Sequence, residues 1–440
     1  MNKIFCLLSI ILFFNKPLFS QDVSNGNLLL KEATLKECVE YALTHQPVIQ
    51  QSMLDEEIAD HEINSKLADW FPQLNLNMNF THNYKLPVTI FQGNPATVGL
   101  INTSGAAFSL TQTIFNRDVF LAANTSKELN RLMKQKTTVS KIDVVTIVSK
   151  AFYSVLFTQE QIALLNEDII RLQQSVKDTY NQYKGGIVDK TDYQRATIAF
   201  NNVEAELKQN HELLKDRFAF LKEQMGYPTG AELNIEFDNT KMQSEIFVDT
   251  TQKLILENRI EYQLLHSQIQ LQKANLSYYD LSFVPSLSAF ANYNYFYQND
   301  NLSKLYNSNY PNSNIGLELS FPIFQGGKRI QEIEQASLEL KRYNYDIVLL
   351  KDSINTSYIS ALGEYKSSLN NYNILKANLE LAKDVYNTIQ LQYKSGIKTY
   401  LEVITAETDL RTTQANYNNA LFEVLNSKLD VQRALGTIQY

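Results

Sequence analysis

The chain has 440 residues, 40 basic against 47 acidic side chains and a formal net charge of −7, so it lacks the basic footprint of a nucleic-acid binder. It has two cysteines, and only Cys38 lies beyond the leader described next, which excludes an intrachain disulfide in the mature protein. Stability must then come from packing and assembly.

Lys3 opens a short polar start, Ile4 to Phe14 is an apolar run, and Leu18-Phe19-Ser20 suits cleavage before Gln21. Residues 1–20 therefore read as a Sec signal peptide. Cys6 lies inside the apolar run without a lipobox before it, so a lipidated N-terminus is not expected. Cleavage would remove Lys3 and Lys16 and no acid, leaving the mature chain more acidic. No later stretch has the roughly eighteen apolar residues of a spanning helix. The mature protein is thus secreted, periplasmic, or in the outer membrane as a barrel.

From about residue 21 to 225 the chain follows a plan that returns from 251 to 436, with a connecting segment at 226–250 and a short tail at 437–440. A helical segment, Leu35 to Leu67, ends ahead of Pro72. Strict alternation follows, with Leu74, Leu76, Met78, Phe80 and Tyr84 on one face and Gln73, Asn75, Asn77, Asn79 and Thr81 on the other. A turn-rich loop, Lys85 to Thr103, leads to a return strand carrying Ala106, Phe108 and Leu110, giving a hairpin over 73–114. Residues 116–184 contain no Pro or Gly and predict a helix of roughly 100 Å. Past Gly185-Gly186-Ile187 a second helix is expected over 187–224.

The second copy has a helical segment from Thr251 to Asp280, then a hairpin over 286–324. Its strands alternate Leu287, Ala289, Ala291, Tyr293, Tyr295 and Tyr297, then Ile315, Leu317, Leu319 and Phe321, around the loop Gln298 to Ser313. Phe290 and Phe296 interrupt the polar face of the first strand. Long helices are predicted over 328–394 and 400–434, joined at Ser395-Gly396-Ile397. The copies are anchored by Tyr183-Lys184-Gly185-Gly186-Ile187 against Tyr393-Lys394-Ser395-Gly396-Ile397. Trp70-Phe71-Pro72 also matches Phe283-Val284-Pro285, as Ile114-Phe115-Asn116 matches Ile323-Phe324-Gln325. Sustained seven-residue apolar spacing along 187–224 and 400–434 predicts coiled-coil packing.

Four strands of about ten residues suit a tilted membrane sheet but cannot close into a barrel, because two open edges would leave backbone groups unpaired in hydrocarbon. Several subunits must share one barrel. Residue pattern alone fixes only that there is more than one.

With the duplicated plan, the run Phe321-Pro322-Ile323-Phe324-Gln325-Gly326-Gly327, the tip Tyr393 to Ile397 and the end Ala434-Leu435-Gly436, the sequence resembles the TolC-type outer membrane efflux proteins over its whole mature length. The resemblance implies an α+β membrane protein: a homotrimer with one twelve-stranded β-barrel, four strands per protomer, continued by a long periplasmic α-helical coiled-coil barrel. It implies an outer membrane exit duct of a tripartite efflux or type I secretion system, passive and water-filled. Implied partners are a periplasmic adaptor (membrane fusion) protein, an inner membrane pump of RND or ABC type, and outer membrane lipid. No cofactor and no nucleic acid are implied.

Carried over by position, the periplasmic gate falls on Thr191, Asp192, Tyr393 and Lys398, with Asp192 pairing Tyr393 and Thr191 pairing Lys398. Glu402 falls in an acidic entrance ring, while Thr405 stands where a second ring acid would be. Gly185, Gly186, Ile187, Ser395, Gly396 and Ile397 fall at the adaptor-docking tips. Trp70 and Phe283, each just ahead of a strand, read as membrane-interface aromatics.

The five histidines, His45, His61, His82, His211 and His266, are dispersed and show no ligand spacing with Cys38. Gly326-Gly327 lacks the rest of a phosphate loop. No nucleophile and base pair stands out, so no enzyme is expected. The rival reading, a periplasmic coiled-coil adaptor or scaffold, accounts for the helices but not for four alternating strands.

Overall fold

The computed structural model describes residues 32–235 and 239–440. The signal peptide expected at 1–20 lies outside the described residues.

The first helical segment is two helices. Strand β1 (Glu32–Ala33) leads to α1 (Leu35–His45), which starts on a capping box in which Thr34 and Glu37 satisfy each other's backbone N–H. Pro47 cannot continue α1 but suits the first turn of α2 (Pro47–Ala68). The helical segment expected over Leu35 to Leu67 is therefore divided at Gln46, whose side-chain amide donates to the Glu223 and Gln224 carbonyl oxygens.

Strand β2 (Gln73–His82) follows, then β3 (Val88–Phe91), β4 (Asn94–Thr97) and β5 (Asn102–Phe115). The expected loop Lys85 to Thr103 is thus itself a small hairpin. Its turn places Gln92 and Gly93 at φ of 52° and 85°, the left-handed pair that a two-residue hairpin turn requires. Helix α3 (Arg117–Lys184) runs 68 residues from an Asn116 cap, and α4 (Lys190–Met225) returns 36 residues. That helix begins at Lys190 instead of the expected residue 187, because the Asp189 carboxylate accepts from Thr191 N–H and caps it there.

Short pieces β6 (Asn234–Ile235), paired in parallel with β1, and α5 (Asn239–Ser244) occupy the connection. The helix expected from Thr251 starts only at Ile260, as α6 (Ile260–Asp280). Arg259 just ahead of it is buried, donating to Ala434 O and pairing with Glu261. Strand β7 (Ser286–Asn299) and β8 (Asn312–Ser320) follow, joined through a 3₁₀ turn at Leu302–Asn307 that buries Leu305. The second hairpin thus ends at Ser320, short of the expected residue 324, since Pro322 has no N–H to extend the ladder. Helix α7 (Lys328–Lys394) spans 67 residues and α8 (Tyr400–Leu435) 36.

The four long strands form one antiparallel sheet in the order β2-β5-β7-β8. Its register aligns Leu74, Leu110, Ala291 and Ile315 across one face, and Asn75, Ser109, Asn292 and Asn314 across the other. Asn292 donates to Asn314 and Asn294 to Asn312 through their side-chain amides, at 2.9 and 2.7 Å. Phe290, on the polar face, lies over Gly316 so closely that a Cβ there would sit 2.7 Å from the ring. The apolar face is bare: Met78 is 76 % exposed and Ile315 85 %.

Near the sheet the helices lie side by side as α2, α3, α6 and α7. Further down, α3 pairs with α4 and α7 with α8, and the two pairs meet along α3 and α8. The main core gathers where α1, α3, α8 and the connecting segment converge, around Val148, Phe152, Leu156, Val424 and Leu425. Tyr365, fully buried, donates to Ile246 O and accepts from Val248 N–H, tying the connection to α7. No described helix is long and apolar enough to cross a membrane.

Candidate functional site

The two helical turns far from the sheet share one construction. In the first, Gly186 at φ 73° lets Ile187 N–H reach Gln182 O at 2.8 Å while Gly186 N–H reaches Tyr183 O. In the second, Gly396 at φ 74° lets Ile397 N–H reach Gln392 O at 2.9 Å and Gly396 N–H reach Tyr393 O. Both are helix ends closed by a left-handed glycine with a six-residue back-bond. Each pushes an isoleucine outward: Ile187 is 76 % and Ile397 72 % exposed. Gly185 and Ser395 complete the last helical turns, donating to Asn181 O and Leu391 O.

Of the residues assigned to the gate, Asp192 lies near Tyr393, but the hydrogen bonds within the protomer differ from the expected ones. Tyr393 Oη donates to Gln182 Oε1 at 2.7 Å, not to Asp192. Asp192 is nonetheless near enough for its charge to help hold the Tyr393 and Tyr400 hydroxyls above their ordinary pKa, after burial as the main cause. Lys398 Nζ donates to Glu402 Oε1 at 2.6 Å, not to Thr191, whose N–H is taken by Asp189. Within one protomer, neither expected gate pair forms a hydrogen bond among the described residues.

Glu402 has a local role that explains its pairing. Its Oε2 accepts from Thr399 N–H and Thr399 Oγ, while its Oε1 takes Lys398, so it is the third-position acid of a capping box at the start of α8. The Lys398 bond first, then the Thr399 N–H, hold its carboxyl at about 2. The Thr-x-x-Glu spacing at 399–402 is the sequence signal that could have revealed this. Thr405 is likewise engaged locally, donating to Leu401 O.

At the other end, Trp70 and Phe283 are about half exposed, each just ahead of a strand. The Phe283 face carries the Arg329 guanidinium at 5.0 Å. Arg329 also donates to the Ser282 and Pro322 carbonyls and to Gln325, so it pins the strand ends to the first turn of α7. A cleft of about 290 Å³ beside it is lined by Arg117, Asp118, Lys328 and Glu332. Among the described residues no cluster of His, Cys, Asp and Glu suits a metal ion. Burial and the neighbouring Glu37 push the lone Cys38 thiol up to about 12, which leaves it unreactive.

Comparison with known proteins agrees with this architecture. The outer membrane protein TolC of Escherichia coli strain K12 is 23 % identical over 96 % of this chain and 86 % of its own length. TolC of Salmonella enteritidis is 22 % identical with matching coverage of 96 % and 85 %. Among solved structures, CusC superposes with a TM-score of 0.76 over 92 % of both chains at 17 % identity. The open-state MtrE channel of Neisseria gonorrhoeae gives 0.74 over 91 % of this chain and 88 % of its own, at 16 % identity. The profile described as outer membrane efflux protein matches residues 38–226 and 252–437. The chain belongs to the outer membrane efflux protein family.

Proposed function

We propose that three copies of this chain form one outer membrane exit duct: a shared twelve-stranded barrel continued by a periplasmic helical tunnel. The observation that carries the reading is the match between two layers. The sheet ends in unpaired β2 and β8, and the helical layer below it ends in α2 and α7 on the same two sides. Open strand edges in hydrocarbon cost several kcal/mol per unpaired group. A neighbour's β2 beside β8, and its α2 beside α7, would cover both at once. The exposed apolar side chains Val48, Leu54 and Ile58 of α2, and Leu338, Val348 and Leu349 of α7, supply that contact.

The halves 21–225 and 251–436 descend from one duplicated plan. Gly226 and Gly436 end α4 and α8 in the left-handed region, and each lies against backbone just before a helix, that of His45 and Gln46 in one case and that of Asn258 in the other. Gln46 donates to the last carbonyls of α4 as Arg259 donates to that of Ala434 in α8. The same joint is thus built twice by different side chains.

In this reading Trp70 and Phe283 sit at the membrane interface, and the tips at Ile187 and Ile397 receive a periplasmic adaptor that links the duct to an inner membrane pump. The duct performs no chemistry of its own. Between protomers, Thr191, Asp192, Tyr393 and Lys398 close the entrance and Glu402 lines it. The adaptor or scaffold alternative is not favoured, because the chain belongs to an outer membrane efflux family. Purified protein reconstituted into planar bilayers tests the duct: discrete ion-conducting channels from an SDS-resistant trimer are expected. Asp192→Ala with Lys398→Ala should raise their conductance. A monomer that forms no channels would end the duct reading.

A further inference from the structure

The run Phe321-Pro322-Ile323-Phe324-Gln325-Gly326-Gly327 turns sharply where β8 passes into α7, with Gly326 and Gly327 both at positive φ, 59° and 83°. The turn leaves the start of α7 without a side-chain cap. Asn116 and Arg117, at the start of α3, border the same cleft of about 290 Å³ as Lys328 and Arg329 of α7. Two long helices thus begin at one cleft, and helix N-termini favour anions.

The side chains there are more specific than the helix ends. Arg329 is 7 % exposed, and its guanidinium donates only to neutral groups, the Ser282 and Pro322 carbonyls and Gln325 Oε1, with the Phe283 ring against its face. Arg117 lies 4.3 Å over the Tyr278 ring, and its Nη1 is buried with no hydrogen-bond partner among the described residues. The arginine ion pairs among the described residues belong to Arg131, Arg171, Arg259 and Arg433, none to Arg117 or Arg329. Ser282, also 7 % exposed, lines the cleft, and its Oγ has no partner among the described residues. The two acids at the cleft already have partners: Asp118 accepts from Tyr278 Oη at 2.6 Å, and Glu332 pairs with Lys328 at 3.6 Å.

A buried guanidinium without a counter-charge is costly. Water in the cleft would bond Ser282 Oγ and Arg117 Nη1 but neutralise neither arginine. An oxyanion does both, and the forked guanidinium matches phosphate oxygens better than a point charge does. The volume is at the small end of ligand pockets, roughly 300–1,000 Å³, which suits a headgroup phosphate and not acyl chains. Position points to the source. Arg329 stacks on Phe283, which the duct reading places at the membrane interface, at the strand ends nearest the long helices.

We propose that the cleft between the starts of α3 and α7 binds a phosphate group, carried by a phospholipid of the inner leaflet. Arg117 Nη1 and Ser282 Oγ donate to its oxygens, and Arg329 and Lys328 supply charge. The phosphate chemistry stands on one protomer, while the lipid as its source rests on the duct reading.

The test uses purified protein stripped of lipid in dodecyl maltoside. It is titrated with sodium phosphate against sodium chloride of equal ionic strength, and separately with short-chain phosphatidylglycerol against diacylglycerol. Melting temperature and native mass spectrometry read the binding. A saturable rise in melting temperature with phosphatidylglycerol is expected, with one lipid retained per chain, a weaker rise with phosphate and none with diacylglycerol. Arg117→Gln and Ser282→Ala should each weaken phosphatidylglycerol binding by about tenfold to a hundredfold, the loss of one hydrogen bond to a charged group. Arg131→Gln, further along α3, should leave it unchanged. Unchanged affinity in both cleft variants overturns the site, as does equal binding of diacylglycerol or no saturable effect of either phosphate probe. Binding of phosphate with none of phosphatidylglycerol keeps the oxyanion site and removes the lipid. Binding that depends on Arg117 in a protein that forms no channels ends the duct reading and leaves the site standing. If Arg117→Gln fails to fold, Ser282→Ala decides by the same criterion.

Discussion

Lys398 Nζ stands 2.6 Å from Glu402 Oε1, so the acid proposed to line the entrance is paired with a lysine on its own turn. An entrance charge so paired attracts cations less than a bare one. Lys398→Ala should unmask Glu402 and raise the cation-to-anion permeability ratio, whereas Glu402→Gln should lower it. Reversal potentials in a salt gradient check both. Equal ratios in all three proteins would remove Glu402 from the conduction path.

The hairpin tip at Gln92-Gly93 and the turn ending at Asn307 lie at the sheet end far from the long helices, and both are exposed. Cysteine at Asn94 or Asn307 should react with an impermeant maleimide on intact cells. Cys38 needs no removal, since its buried thiol stays protonated at neutral pH. Reaction only after the outer membrane is broken would invert the topology.

Gly226 and Gly436 have φ of 67° and 72°, and a Cβ at either would meet a carbonyl oxygen at 2.7 or 2.6 Å. Gly226→Ala and Gly436→Ala should each lower stability by about 1–3 kcal/mol or more, from left-handed strain together with backbone displacement. Gly363, inside α7 with open space around it, is the control. Gly363→Ala should add about 0.5–1 kcal/mol. Thermal melts of the detergent-solubilised trimer read all three.

Tyr365→Phe would leave Ile246 O and Val248 N–H without their buried partner. An unpaired buried backbone group costs about 1–3 kcal/mol. The loss should be local: limited proteolysis between residues 244 and 252 should accelerate while the cleavage pattern elsewhere is unchanged. Uniform acceleration would show that the connection is not a separate unit.

Glu407 has its pKa raised, by burial first, with Arg171 and Arg411 only partly opposing it. The folded protein therefore binds a proton at Glu407 more tightly than an unfolded chain does. Between the ordinary carboxylate value and the raised one, lowering the pH adds stability to the folded form, and raising it takes that stability away. The difference in melting temperature between Glu407→Gln and wild type should therefore shrink on mild acidification, whereas a difference that ignores pH would assign the titration to another group.

Much of this was legible in the sequence because it depends on local rules. Alternation at Leu74 to Phe80 can satisfy a strand on one face only, a run without Pro or Gly from Arg117 to Lys184 permits one long helix, and Gly186 and Gly396 mark turns that need positive φ. The duplicated plan, together with Phe321 to Gly327, the tip Tyr393 to Ile397 and the end Ala434-Leu435-Gly436, carries the family resemblance. Local rules also misled where a cap or a missing N–H outweighed the periodicity. Asp189 delayed α4, Pro47 split the first helix, and Pro322 ended β8 early.

The tertiary structure alone decided which side chain meets which across the seam between helix pairs. Gln182 and Tyr393 are 211 residues apart, Ser175 and Tyr400 225. Several polar side chains near each tip have the reach and chemistry to bond Tyr393, Asp192 and Gln182 among them. Sequence spacing cannot choose between them, because the choice depends on the relative axial shift of α3 and α8. That shift is set by apolar packing at Phe152, Leu156, Val424 and Leu425, far from the tip, and the hydrogen bonds at the tip follow from it.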